Sequence, residues 1–129
     1  MATLTIAIMD APYESGTSTT ALRIVDSAVR KGHVVNVFAY EGAVNLTMKE
    51  QKPHPNPVKG TSVEDQHHPT TSSFIASLLE TGKVDWINCG MCVDERGADN
   101  WIEGARRGGP ADLLKWANES TNTLIMGIK

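Results

Sequence analysis

Residues 4–40 read LTIAIMDAPYESGTSTTALRIVDSAVRKGHVVNVFAY, and the architecture can be worked outward from them. Leu4–Met9 is a short β-prone apolar run ending at Asp10-Ala11-Pro12, which predicts a buried strand followed by a loop. From Thr17 to Lys31 the residues Ala21, Leu22, Ile24, Val25, Ala28 and Val29 recur at helical spacing, behind Ser and Thr caps and ahead of Lys31-Gly32. The spacing predicts an amphipathic helix. His33–Tyr40 carries Val34, Val35, Val37 and Phe38 and predicts a second strand. Strand, helix and strand in this order form a βαβ unit with a right-handed crossover, and hence the start of a parallel sheet.

The same alternation continues. Gly42–Met48 is compatible with a further short helix, and Thr70–Thr81 regains helical spacing through Phe74, Ile75, Leu78 and Leu79. Between them, about residues 49–69 hold four of the six prolines and three of the four histidines, the composition of a loop or flap. Val84–Asn88 predicts a third strand, Cys92–Arg96 one helical turn, Trp101–Ala105 a short fourth strand, Pro110–Asn118 a helix and Thr123–Ile128 a last strand. The expected fold is one domain over 1–129. It is a flavodoxin-like three-layer α/β/α sandwich around a mostly parallel five-stranded sheet of order 2-1-3-4-5. In that order the loop after strand 1, Asp10–Gly16, faces the loop after strand 3, Cys89–Gly97.

With 129 residues, 40% hydrophobic and 21% charged, the chain has the composition of an ordinary globular domain, which excludes a disordered, collagenous or coiled-coil protein. A formal net charge of -3 argues against nucleic acid as the partner. The longest apolar runs, Leu4–Met9 and Leu124–Ile128, are too short to span a bilayer, and the first residues do not resemble a signal peptide. A cytoplasmic protein without a membrane partner is expected. No cofactor or metal is expected. Seven aromatic residues are few for a flavin site, the hydroxyl-rich Ser15–Thr20 reads first as helix capping, and two cysteines with His54 or His67-His68 close a zinc site poorly.

Both cysteines lie in Cys89-Gly90-Met91-Cys92, where a strand hands over to a helical turn. Such a pair cannot staple distant segments, but it can form its own disulfide, or one thiol can resolve a persulfide formed on the other. Cys89 and Cys92 are therefore the candidate catalytic residues. The turn's amides and Arg96 favour thiolate, and Asp94 and Glu95 oppose it. Asp10 and Tyr13, in the loop after strand 1, and Arg106 with its neighbour Arg107, ahead of Gly108-Gly109, are candidates to orient or attract an anionic substrate. Three functions remain open at this point: a persulfide carrier, a thiol-disulfide redox switch, and a flavin- or small-anion-binding module with structural thiols.

Cys89-Gly90-Met91-Cys92-Val93-Asp94-Glu95-Arg96-Gly97, followed by Ile102-Glu103-Gly104-Ala105-Arg106-Arg107, resembles the DsrE/DsrF family. Asp10-Ala11-Pro12-Tyr13, Gly32-His33 and Phe38-Ala39-Tyr40-Glu41-Gly42-Ala43-Val44 are similar to it as well, so the likeness spans nearly the whole chain. The Pro- and His-rich stretch from Gln51 to Pro69 departs from the family pattern. The resemblance implies a flavodoxin-like domain that assembles as a homo-oligomer, a trimer or hexamer, within a cytoplasmic sulfur relay. It implies sulfur donor and acceptor proteins as partners and a sulfurtransferase-like role. Cys89 matches the sulfur-bearing cysteine of TusD-like members, and Cys92 the second thiol of members with a CGxC motif.

Overall fold

A computed structural model describes residues 1–12, 16–52 and 70–127. Five strands, β1 (Thr3–Ile8), β2 (Val34–Ala39), β3 (Val84–Cys89), β4 (Ala105–Gly108) and β5 (Asn122–Met126), form one sheet in which every pairing is parallel. Helices α1 (Thr17–Arg30), α2 (Thr71–Glu80), α3 (Gly90–Arg96) and α4 (Pro110–Glu119), with a 3-10 helix at Glu41–Thr47, connect them. The three-layer α/β architecture is as expected.

The strand order is not. It runs β4-β3-β2-β1-β5, where 2-1-3-4-5 was expected. Burial is the physical reason. β2, VVNVFA, is buried along most of its length and takes an interior position, whereas the short β4, ARRG, and the largely exposed β5 take the two edges. An interior strand flanked by helices on both faces needs apolar side chains in both directions, which β4 does not possess. Consequently β2 stands between β1 and β3, and the loops after those two strands do not face each other across a reversal in order. The fourth strand is also displaced: it lies at Ala105–Gly108 rather than Trp101–Ala105, and Trp101 makes an isolated antiparallel bridge to Met48.

On one face, Ile6, Ile8, Val35, Val37, Ala39 and Trp86 pack against Ala21, Leu22 and Val25 of α1, Ala43 and Leu46 of the 3-10 helix, and Ile75 and Leu78 of α2. On the other, Phe38, Ile87 and Cys89 pack with Cys92 and Val93 of α3 and Trp116 of α4. The local signals explain the helix ends. Thr70 accepts a hydrogen bond from the Ser73 amide at the start of α2, and Pro110 opens α4, where the Asp112 carboxylate accepts from the Gly109 amide at 2.8 Å. Gln51 joins two of these elements. Its amide nitrogen donates to the carbonyls of Asn45 and Leu46, and its amide oxygen accepts from the Ser72 amide. From residue 53 onward the expected flap lies outside the described residues.

Candidate functional site: the paired thiols

The carboxyl ends of the adjacent strands β1, β2 and β3 carry the site. The register places Ile8 beside Ala39 and Ala39 beside Asn88, so the residues that follow, Met9-Asp10, Tyr40-Glu41 and Cys89, leave the sheet together. Asn88 is fully buried. Its amide oxygen accepts from Trp86 Nε1 at 3.1 Å, and its Nδ2 donates to Thr47 Oγ1 at 2.9 Å. This network fixes the end of β3 to the 3-10 helix directly behind Cys89.

Cys89 and Cys92 are both free thiols and both buried. Cys89 precedes the first residue of α3 and Cys92 lies one turn on, which brings the two sulfurs within hydrogen-bonding reach. Between them Met91 points outward and is 71% exposed. The Cys92 sulfur accepts from the Glu41 amide at 3.1 Å. Burial pushes the Cys92 thiol above its ordinary pKa. The Glu41 amide works against this, while the Cys89 hydrogen bond and the nearby Glu41 carboxylate add to it.

Glu41 is unusual in its own backbone. Its φ of 50° is the one positive value at a non-glycine position among the described residues, and such a conformation costs roughly 1–2 kcal/mol for an L side chain. The following Gly42 is obligatory for another reason: a Cβ there would lie 2.8 Å from Ala11 Cβ and 3.1 Å from the Ala11 backbone nitrogen. The loops after β1 and β2 thus meet closely. Beside them opens a cavity of about 590 Å³ lined by Met9, Asp10, Tyr40, Glu41, Asn45 and Arg96, among others. Burial, and the carboxylates of Glu41 and Asp10, hold the Tyr40 phenol above its usual range.

Among the expected supporting residues, Asp10 is buried and lines this cavity. Arg96 also lines it. Its guanidinium pairs with Glu41 at 3.0 Å and donates to the Cys92 carbonyl at 3.4 Å, so it engages the thiol's helix and not its sulfur. Arg106 turns elsewhere: it forms a two-pronged pair with Asp85, at 3.1 and 2.8 Å, and lies over the Trp116 ring. Tyr13 is outside the described residues. Three other residues stand closer to the thiols: Arg107, which was expected alongside Arg106 to draw anions, and Tyr40 and Glu41, to which the sequence assigned no role. Arg107 pairs with Asp94 of α3 and lies against Gly90, next to Cys89. The alternation of a strand was the available signal, because adjacent arginines on β4 must point to opposite faces.

A parallel α/β sandwich with two free thiols joined at the carboxyl end of an interior strand defines a paired-thiol domain of the flavodoxin-like type. The chain belongs to the DsrE/DsrF-like family, whose family model matches residues 2–125, and members of that family generally serve in sulfur relays with partner proteins. It is 30% identical over 122 residues to the uncharacterized protein MJ0989 of Methanocaldococcus jannaschii, covering 93% of this chain and 96% of that one. It is 29% identical over 124 residues to the uncharacterized protein MK0008 of Methanopyrus kandleri, covering 95% and 92%. Among solved structures, the ychN protein from E. coli superposes with a TM-score of 0.78 at 21% identity, over 97% of this chain and 99% of that one. MTH1491 from Methanobacterium thermoautotrophicum, a protein of unknown function, superposes with 0.70 at 13% identity, over 96% and 99%. No helix among the described residues is long and apolar enough to cross a membrane.

Proposed function

We propose that the protein is a sulfur carrier that holds sulfane sulfur as a persulfide on Cys89 and hands it to the thiol of an acceptor protein. The observation that carries this reading is the unlike surroundings of two adjacent thiols in a DsrE/DsrF-like chain. Cys89 has the Arg107 guanidinium beside it, and Cys92 is held as thiol by burial and by the Glu41 carboxylate. A neighbouring cation favours the nucleophilic thiolate, and desolvation opposes it.

The Cys89 thiolate attacks the terminal sulfur of a polysulfide, forming the Cys89 S–S bond and releasing a polysulfide one sulfur shorter. The acceptor's thiolate then attacks the outer sulfur. A new persulfide forms on the acceptor and Cys89 leaves as thiolate, with no net change in oxidation state. When no acceptor is present, the Cys92 thiolate attacks the inner sulfur. This forms a Cys89–Cys92 disulfide and releases hydrosulfide. We place this relay in the cytoplasm, with the chain acting as a homo-oligomer, a trimer or hexamer. The exposure of Leu114 at 66% and Ile125 at 69% supports an assembly, and sizing by light scattering tests it.

Intact mass after exposure to polysulfide tests the carrier reading. Added sulfur is expected on the parent and on Cys92→Ser, and none on Cys89→Ser. No loading of the parent, or equal loading of both variants, rejects it. The proximity of the two thiols also favours a second reading, a redox switch without sulfur cargo. A redox titration that finds no reversible two-electron couple eliminates that reading.

A further inference from the structure

Arg107 has a placement that the ordinary alternation of an edge strand does not require. A Cβ at Gly90 would lie 2.6 Å from Arg107 Nε, 2.8 Å from Cζ and 2.9 Å from Nη2, so the guanidinium lies across the bare backbone of the residue that follows Cys89. Glycine at 90 is what lets it approach. Two bonds to one carboxylate brace the group: Nη1 donates to Asp94 Oδ1 at 2.9 Å and Nη2 to Asp94 Oδ2 at 2.7 Å. Asp94 sits on the same short helix as Cys92, so the strand β4 and the helix α3 hold the fork from both sides. The Asp94 carboxylate holds the Arg107 guanidinium firmly charged, and the nearby Cys89 side chain adds to this in smaller measure.

We propose that Arg107, laid over Gly90 and braced by Asp94, is the positioning residue that favours the anionic sulfur of Cys89, as thiolate before loading and as persulfide after it. The inference rests on the carrier reading for the persulfide half and on geometry alone for the thiolate half. An anion-favouring cation beside the nucleophile suits donors that are themselves anionic, such as polysulfide, because the guanidinium offsets the repulsion between two negative sulfurs as they meet. The other charged or titratable groups around Cys89 are Cys92, Asp94 and Arg96 on α3, Glu41 on the 3-10 helix through its contact with Cys92, and Asp112 on α4, whose carboxylate packs at Gly108 beside Cys89 in the sheet. Of these Arg96 alone is cationic, and its guanidinium is engaged by Glu41 and the Cys92 carbonyl. Arg106, one residue away, is turned toward Asp85.

The test uses Cys92→Ser as background and follows iodoacetamide alkylation of Cys89 by mass across pH. Arg107→Gln is expected to raise the midpoint of the alkylation profile by about one pH unit and to slow alkylation about tenfold at neutral pH. Arg107→Lys keeps the charge on a flexible stem without the fork, and about a threefold slowing is expected. Arg106→Gln is expected to leave the profile unchanged. Thermal unfolding of each variant separates this effect from loss of fold, and the Lys variant carries the test if the Gln variant does not fold. A profile unmoved by Gln and Lys, or an equal displacement by Arg106→Gln, overturns the proposal. Because alkylation needs no sulfur cargo, a parent that fails to load polysulfide but shows the Arg107 effect rejects the carrier reading and leaves the positioning of Cys89 standing. A parent that loads normally with no Arg107 effect does the reverse.

Discussion

Replacing one buried hydroxyl by a methyl group, Thr47→Val, tests whether the network behind Cys89 holds the end of β3. Thr47 and Asn88 are both fully buried, and Thr47 Oγ1 accepts from Asn88 Nδ2 at 2.9 Å. Valine has nearly the same shape, so packing in the 3-10 helix is preserved and the Nδ2 donor loses its partner in a place without water. A buried donor left unsatisfied costs about 1–3 kcal/mol. In a chain of this size each kcal/mol corresponds to roughly 3–5 °C in Tm. Thr47→Ser is the control, since it keeps the acceptor and loses a methyl group worth about 1 kcal/mol. Equilibrium urea unfolding should rank parent above Ser above Val, with unchanged m values. The Val variant should also alkylate faster at Cys89, because Asn88 is the residue before it. A Val variant within about 0.5 kcal/mol of the parent would refute the reasoning, since the network would then contribute nothing.

Other outcomes follow from the same site. Gly42→Ala should destabilise by about 1–3 kcal/mol, because its Cβ would meet the Ala11 Cβ and backbone, which cannot move aside as a flexible side chain could; urea unfolding reads this directly. Glu41→Gly should raise stability by up to about 1 kcal/mol, since it releases a left-handed backbone and gives up only an exposed ion pair with Arg96. A lower Tm for that variant would mean that the ion pair outweighs the strain. The pH dependence follows from Cys92, whose thiol is raised in the fold. The native state keeps its proton where the unfolded chain has lost it, so stability is present in full below the free thiol's pKa of about 8.5 and declines as pH rises from there through the folded value. Cys92→Ser should flatten that decline in Tm scans between neutral and alkaline pH, and an undiminished slope would exclude Cys92 as its source.

The elements themselves were legible because each strand and helix states its own period. Val34–Ala39 and Leu4–Met9 are apolar without alternation, as strands covered on both faces must be, and α1 and α2 repeat at helical spacing. The order of the strands could also have been read from the same residues. A sheet of order 2-1-3-4-5 exposes VVNVFA at an edge and buries ARRG in the interior, and burial of the first with exposure of the second is what the fold achieves. The position of Cys89 at a strand end needed no topology, which is why the thiol pair was visible. Tyr40 and Glu41 needed it, because only β2 lying between β1 and β3 brings their loop to the sulfurs. No motif announces a left-handed glutamate whose amide meets a thiol 51 residues further along the chain: residues 41 and 92 are joined by the fold alone.

That fold gives the two thiols a division of labour that their spacing does not. The Gly90 backbone admits the Arg107 guanidinium on one side of Cys89, whereas Cys92 faces the Glu41 amide and carboxylate at the wall of the 590 Å³ cavity. Under the carrier reading, Cys89 takes the sulfur, and Cys92 stays protonated until its proton is removed. Resolution by an internal disulfide is then slow at neutral pH and faster in alkali, because the resolving thiol must ionise first. A persulfide on Cys89 would accordingly persist long enough to meet an acceptor. The lifetime of the loaded protein, followed by mass as pH is raised, should shorten as Cys92 titrates and should lose that dependence in Cys92→Ser. A lifetime equally short at neutral and alkaline pH would remove Cys92 from the resolving role.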